Sequence, residues 1–366
     1  MKRLIAVVIV LCLAGIATAQ VGSSDNEVTS IKAPGITMGN IGIKMNMQSI
    51  ASYPVGDEGT EENSDFYLKR LRFILYGDVV PDRVGFVFQG EALANPFLLD
   101  LKLILKNYIP YTSITFGRFL PNYTYYMPQS TAALDFVEYP LTTARYACWR
   151  QVGIETRTKL SGFDLTLGAL NGGDRDSGRH TDSWHDNDNA KDFLTRLDYT
   201  LQLQGQSNVT FGAYGWFGSD TEVYNTGAVD INGAPIMDDV DGLAWTRYGA
   251  FTHLHMNGLR ATAEMINGTT EHLTDPTTGD AVTSVDGFAY FGQAMYRVGD
   301  IEGLVRYGSN DPNTDVDDDA EQRLTFGCNY YFPAQGSMVF LNYMIRTEEG
   351  TSIDNDLILL QFQISF

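Results

Sequence analysis

After its first twenty residues the chain has no apolar run long enough for a membrane helix, which needs about 18 residues. It has alternation instead. Sixteen runs of alternating apolar and polar residues occupy 36–366, with turn residues between them. They are 36–50, 65–80, 83–93, 98–108, 111–119, 150–159, 163–171 and 192–204, then 208–218, 244–255, 259–266, 287–298, 301–308, 322–332, 337–346 and 357–366. Most approach the roughly 9–11 residues that a tilted strand needs to cross a bilayer. The composition agrees, with 20 Tyr, 20 Phe and 36 Gly, a mixture that suits strands and turns.

The connections sort by length. Short ones fall at 81–82, 109–110, 160–162, 205–207, 256–258, 299–300 and 333–336. Long ones fall at 51–64, 120–149, 172–191, 219–243, 267–286, 309–321 and 347–356, and only 94–97 is short where the pattern asks for a long one. Short turns on one side and long loops on the other mark an outer-membrane barrel. The expected fold is therefore all-β, a 16-stranded antiparallel transmembrane β-barrel over 36–366, with short periplasmic turns and long extracellular loops. A fixed-period solenoid is excluded, because no internal repeat is present.

Alternation also assigns faces. In 98–106, Leu99, Leu101, Leu103 and Leu105 share one face, against Asp100, Lys102, Ile104 and Lys106 on the other. The last strand puts Ile358, Leu360, Phe362, Ile364 and Phe366 toward lipid, and Gln361, Gln363 and Ser365 toward water. A barrel tolerates no free edge, so this strand is expected to pair with the first. A sixteen-stranded interior is too wide for side chains alone to fill, which predicts a water-holding lumen.

The first twenty residues differ from the rest. Lys2 and Arg3 precede an apolar run from Leu4 to Ile16, and Ala17-Thr18-Ala19 precedes Gln20. This predicts a signal peptide over 1–19, followed by an N-terminal periplasmic segment over 20–35. Net charge is −20, which argues against nucleic acid as a partner. Beyond the leader only Cys148 and Cys328 remain, too few for a disulfide scaffold.

Several phrases resemble the phosphate-selective porin O and P family. They are RLRFILYGDV (70–79), GALNG (168–172), LVRYGSND (304–311) and LTFGCNYYFPAQGSMVFLNY (324–343). The resemblance implies a trimeric channel in the outer membrane of a Gram-negative bacterium. It would carry small hydrophilic or anionic solutes, with the third long loop folded inward. Phosphate-specific members carry pore-lining lysines, whereas this chain has eight lysines in all, one of them in the leader. The terminal Phe366 resembles the signal read by the barrel assembly machinery. Outer-membrane lipid and lipopolysaccharide are the other expected partners.

By parity the lumen-facing cations are Arg70, Arg72, Lys102, Lys106, Arg157, Arg196, Arg260, Arg297, Arg306, Arg323 and Arg346. Asp78, Glu91, Asp100, Glu155, Asp164, Asp198, Glu264 and Glu302 share that face. Two readings stand: a basic wall that favours anions, or charges that pair across strands and solvate the wall. The segment 120–149, apolar and aromatic for a loop, is the expected constriction loop, with Asp135, Glu138 and Arg145 setting local selectivity. The alternative reading has it packed at a trimer interface or capping the mouth.

The acidic residues concentrate in 174–189, 220–241 and 310–319. Asp315, Asp317 and Asp319 alternate like a calcium loop but lack its glycine and glutamate, which leaves them a weak calcium candidate. His180, Asp182, His185 and Asp186 match no zinc spacing. No nucleophile or base motif is present, so no enzyme and no cofactor are expected. The expected function is a passive diffusion porin, probed by conductance, with a plugged barrel serving as receptor or adhesin as the alternative.

Overall fold

In the computed structural model all sixteen runs become strands, each antiparallel to the next, and the last closes on the first. The structure describes residues 32–33, 36–37, 41–55, 64–93, 97–172, 186, 189–229, 235–273, 282–333, 336–350, 353 and 355–366. The leader, most of 20–35, and His180, Asp182 and His185 lie outside the described residues. A pair of two-residue strands, Lys32–Ala33 with Ile36–Thr37, precedes the barrel.

The barrel strands are β1 (Ile41–Val55), β2 (Asp65–Val80), β3 (Val84–Glu91), β4 (Leu98–Ile109), β5 (Thr112–Phe119) and β6 (Gln151–Leu160). They continue with β7 (Phe163–Leu170), β8 (Asp192–Gln202), β9 (Asn208–Val229), β10 (Pro235–Met256) and β11 (Leu259–Leu273). The last five are β12 (Val282–Val298), β13 (Ile301–Asp311), β14 (Glu321–Tyr331), β15 (Ser337–Glu348) and β16 (Asp356–Ser365).

The seam satisfies the requirement that no edge be left open. Strand β16 pairs with β1 from Asp356–Val55 to Ser365–Asn46. Beyond it, Met45 N–H donates to the Phe366 carbonyl at 2.7 Å, and Phe366 N–H returns the bond at 3.1 Å. This register explains why β1 runs over 41–55 rather than the expected 36–50: its upper half is needed to cover β16.

One expected loop is something else. The segment 219–243 is mostly strand, because β9 and β10 continue past their barrel neighbours as a hairpin. Backbone pairs such as Val223–Asp239 and Tyr224–Asp238 hold it, beyond a bulge between Asp220 and Glu222. The sequence pattern predicts a long connection there, whereas the two strands extend and pair with each other through the backbone.

The pleat separates the faces as the alternation requires along most of the wall. Leu99, the extra residue at the shift where Gly90 pairs with Leu98 and Gln89 with Asp100, is buried instead of sharing the outer face of Leu101 and Leu103. Leu101, Leu103, Phe326, Leu341 and Phe362 are exposed on the outside, where lipid would cover them. The inside is not simply water-lined. Phe119, Tyr123, Met127, Leu170, Leu194, Tyr214, Trp216, Trp245, Phe251 and Ile266 form one buried apolar cluster. The core of this protein therefore lies within the barrel, between the segment after β5 and the inner wall of β7–β12.

Candidate functional site: the lumen and the loop across it

The segment between β5 and β6 enters the lumen through a kink. Gly117 has φ of 118°, and a Cβ there would lie 2.2 Å from the Leu101 carbonyl oxygen, so only glycine fits. The kink breaks the alternation. Arg118 and Phe119 are both buried, and Arg118 Nε donates to the Leu99 carbonyl.

The loop then attaches to one strand after another. Asn122 N–H donates to Glu155 at 2.7 Å, and its Nδ2 donates to Thr166. Tyr123 meets Tyr214 and Trp216 edge-on, at 4.9 and 5.1 Å between ring centroids. Arg196 donates to the Thr124 carbonyl. Tyr125 stacks on His253, bonded through its hydroxyl at 2.8 Å. A one-turn 3₁₀ helix, Thr131–Ala133, comes next, capped by the Ser130 hydroxyl. There Arg72 donates to the Thr131 hydroxyl, while Gln48 and Gln363 donate to the Thr131 and Ala132 carbonyls. Asn342 accepts from Val137 N–H at 2.9 Å, and Asn329 donates to the Asp135 carbonyl. A short helix, α1 (Leu141–Tyr146), leads back out.

Glu264 of β11 is the central anchor. It is buried and accepts three hydrogen bonds: from Tyr125 N–H at 2.6 Å and the Thr142 hydroxyl at 2.7 Å in the loop, and from the wall phenol of Tyr214 at 3.0 Å. Burial, then the neighbouring Asp135 charge, pushes the Tyr125 phenol up to about 12. Burial does the same to Tyr146, also to about 12.

The three acidic and basic residues read from the loop sequence sit at its contacts. Asp135 pairs with Arg260 at 2.6 Å, Glu138 pairs with Lys69, and Arg145 pairs with Glu321 at 2.5 Å. The wall cations are also engaged. Arg72 meets Glu91 at 2.8 Å, Lys106 meets Asp78 at 2.6 Å, Arg157 meets Asp164 at 2.6 Å, and Arg196 meets Asp198 at 2.7 Å. Arg260 also reaches Glu302 at 2.7 Å, and Arg323 reaches Glu321 at 2.9 Å. Arg70 donates to Gln48, and Lys102 lies over the Phe119 ring. Arg306 is buried under Phe136 at 3.9 Å, donating to Gln293 and the Glu138 carbonyl. Arg297 is exposed and stacks on Tyr331 at 3.8 Å. Arg346 stands opposite Arg323 in the β14–β15 register.

Lys69 and Arg150 belong to the site but escape the parity rule. Lys69 is the extra residue of a bulge, since Gln48 pairs with Arg70 and Ser49 with Leu68. Arg150 precedes β6 and pairs with Asp100 at 2.9 Å. Asp315 and Asp317 are exposed, and Phe366 is 70% exposed beside the seam.

Two cavities adjoin the loop. One, of about 610 Å³, opens among Arg145, Tyr146, Arg247, Asn310 and Glu321 on the side of the long loops. The other, of about 440 Å³, lies among Ala132, Asp135, Arg260, Arg297 and Tyr331 on the side of the short turns.

The closed sixteen-stranded barrel agrees with the family match. The model of the family described as phosphate-selective porin O and P matches residues 41–366. This chain belongs to the phosphate-selective porin O and P family. It is a porin of the Gram-negative outer membrane, a channel protein by family rather than an enzyme. Solved structures similar to this porin include OprB of Pseudomonas putida, with 10% identity, TM-score 0.63, and 90% of this chain and 94% of that one covered. The outer membrane channel DcaP of Acinetobacter baumannii has 12% identity and TM-score 0.62, over 93% and 100%. The trimer form of OmpT, an outer membrane protein of Vibrio cholerae, has 13% identity and TM-score 0.59, over 90% and 99%. At these identities the likeness carries the fold alone. No curated protein sequence matches this porin.

Proposed function

We propose that this porin passes small hydrophilic solutes by passive diffusion past a waist formed by 120–149, with a mild bias toward anions. The observation that carries the reading is the loop itself, fixed across the lumen by Asp135–Arg260, Glu138–Lys69 and the Glu264 anchor. Ion pairing shortens the reach of most wall charges, since a paired cation presents a dipole rather than a full charge. One sector keeps a surplus. Arg70, Arg72, Arg118, Arg150 and Lys102 gather where β2–β6 meet the loop, against Glu91, Asp100 and Glu155. A narrow low-dielectric path focuses such a field, favouring anions. The pairing argues for a bias rather than a dedicated phosphate site.

The assembly we propose is a homotrimer, the form given for the Vibrio cholerae neighbour. Lipid and lipopolysaccharide would surround it, and the barrel assembly machinery would read Phe366. A second reading, a plugged barrel acting as receptor or adhesin, draws support from the loop's contacts with walls as far apart as β1 and β11. Planar-bilayer recording separates the two. The porin reading expects open-channel current and a reversal potential of anion sign in a KCl gradient, diminished in Arg70→Gln/Arg72→Gln. Absence of current supports the plug, and a cation-signed potential refutes the anion bias.

A further inference from the structure

The smaller cavity, on the side of the short turns, gathers polar groups from neighbouring strands β10–β14. The register sets His255 of β10 beside Arg260 of β11, and Arg297 of β12 beside Glu302 of β13. Tyr331 closes β14 and lines the same space, as does Asp135 of the loop.

The acids of this cavity are engaged by the protein. Arg260 reaches Asp135 at 2.6 Å and Glu302 at 2.7 Å. Tyr126 donates a further hydrogen bond to Asp135, and Tyr331 donates one to Glu302 at 2.7 Å. Both carboxylates are also covered. The Asp135 side chain is 9% exposed and that of Glu302 1%, whereas Arg260 keeps 30%. A solute in the cavity therefore meets the cations rather than the acids beneath them.

Arg297 is the least engaged of these cations. It is exposed, and its side chain has two contacts among the described residues. Its Nε donates to the Gly299 carbonyl at 3.0 Å, and its guanidinium lies 3.8 Å from the centre of the Tyr331 ring. Stacking fixes the plane of the guanidinium and leaves Nη1 and Nη2 as donors. Half-buried His255 adds a second nitrogen-bearing side chain to the lining. Much of the remaining lining is apolar: Ala132, Ala133 and Leu134 of the loop, and Met338 of β15. At about 440 Å³ the cavity falls within the size range of small-molecule sites.

We propose that this cavity is a binding station for small organic carboxylates, with Arg297 taking the carboxylate and the loop and Met338 covering the apolar body. A planar carboxylate accepts two parallel N–H bonds from a guanidinium. Inorganic phosphate would leave the apolar lining unmatched. The station rests on the channel reading for the arrival of its solute, but binding itself needs no open pore. A channel must release what it binds, so the affinity belongs near a Kd on the order of 10⁻³ M.

The test uses the full-length barrel in detergent and sodium benzoate as the probe, read by saturation-transfer NMR. Wild type should bind benzoate near that Kd. Arg297→Gln should weaken binding at least tenfold, and Arg297→Lys, which keeps the charge but loses the fork, should fall between. Arg83→Gln removes an exposed arginine from another turn on the same side and should change nothing. Uncharged benzamide should not bind, and an equal concentration of inorganic phosphate should displace little benzoate. Channel recording is read separately: a silent barrel ends the diffusion reading, while benzoate bound to that barrel still upholds the station. Four results overturn it: benzoate binding that survives Arg297→Gln, binding lost in Arg83→Gln, benzamide or phosphate binding as well as benzoate, or no binding by wild type at about 10 mM, tenfold above the expected Kd.

Discussion

Replacing Glu264 with alanine tests whether the inward loop is held by its polar anchor or only by its aromatic packing. The carboxylate accepts from Tyr125 N–H, Thr142 and Tyr214 at 2.6, 2.7 and 3.0 Å. Hydrogen bonds to a charged group contribute about 1.5–3 kcal/mol each, so the three together contribute roughly 4–9 kcal/mol. Two effects offset this loss. Water can enter the space left by the carboxylate, and a buried charge no longer has to be desolvated. A net weakening of about 3 kcal/mol remains, or roughly 100-fold in the docking equilibrium of the loop. The barrel itself should still form, because its sixteen-strand ladder does not pass through the carboxylate. Two assays read the loop. Single-channel recordings should show increased open-channel noise, and trypsin should cleave after Arg145 roughly 100-fold faster than in wild type. Glu264→Gln, which keeps an acceptor oxygen, should fall between. Wild-type noise and wild-type cleavage in Glu264→Ala would refute the anchor and leave the aromatic cluster as the sole fastening.

Alkaline pH should loosen the same loop. The Tyr125 and Tyr146 phenols are pushed up to about 12 when docked, against an ordinary value of 10.0. The docked state holds its proton more tightly, so its advantage is complete below pH 10 and is lost as pH rises toward 12. The slope is roughly 1.4 kcal/mol per pH unit for each phenol. Channel noise should climb across that window and less steeply in Tyr125→Phe; noise that stays flat to pH 12 contradicts the assignment. At the seam, Phe366→Ala keeps both backbone bonds to Met45 while removing an exposed ring. It should lower the amount of assembled barrel several-fold, measured by heat-modifiable gel mobility. The conductance of the barrels that do form should be unchanged. Equal assembly would remove the signal role assigned to that ring.

Much of this architecture is legible in one dimension because a barrel wall is built from local rules. A period of two decides that Leu101, Phe326 and Phe362 face outward, while Asp100, Thr325 and Gln361 face inward. Closure of the sheet then obliges 357–366 to meet the first strand. The same rule misleads where the strand breaks its period. Lys69 is an inserted residue, and the kink at Gly117 breaks the alternation so that Arg118 is buried beside Phe119; Lys69 and Arg118 thus join the site outside the parity rule. The hairpin of β9 and β10 is a different case: 219–243 is expected as a loop, and its backbone pairing emerges only in the fold.

The sequence by itself determined the all-β class, the number of strands, the two faces of the wall and the closing seam. Each follows from residue period and from the rule that no backbone group may stay unpaired in lipid. Only the tertiary structure decided what the lumen contains. Asp135 meets Arg260, Glu138 meets Lys69, and Tyr125 meets Glu264 because a loop with no period of its own folds back across the barrel. Such contacts depend on where distant strands stand in space, and a local pattern carries no record of that. The sequence left open both a basic wall and pairing across strands; the fold pairs Arg72 with Glu91, Lys106 with Asp78, Arg157 with Asp164 and Arg196 with Asp198.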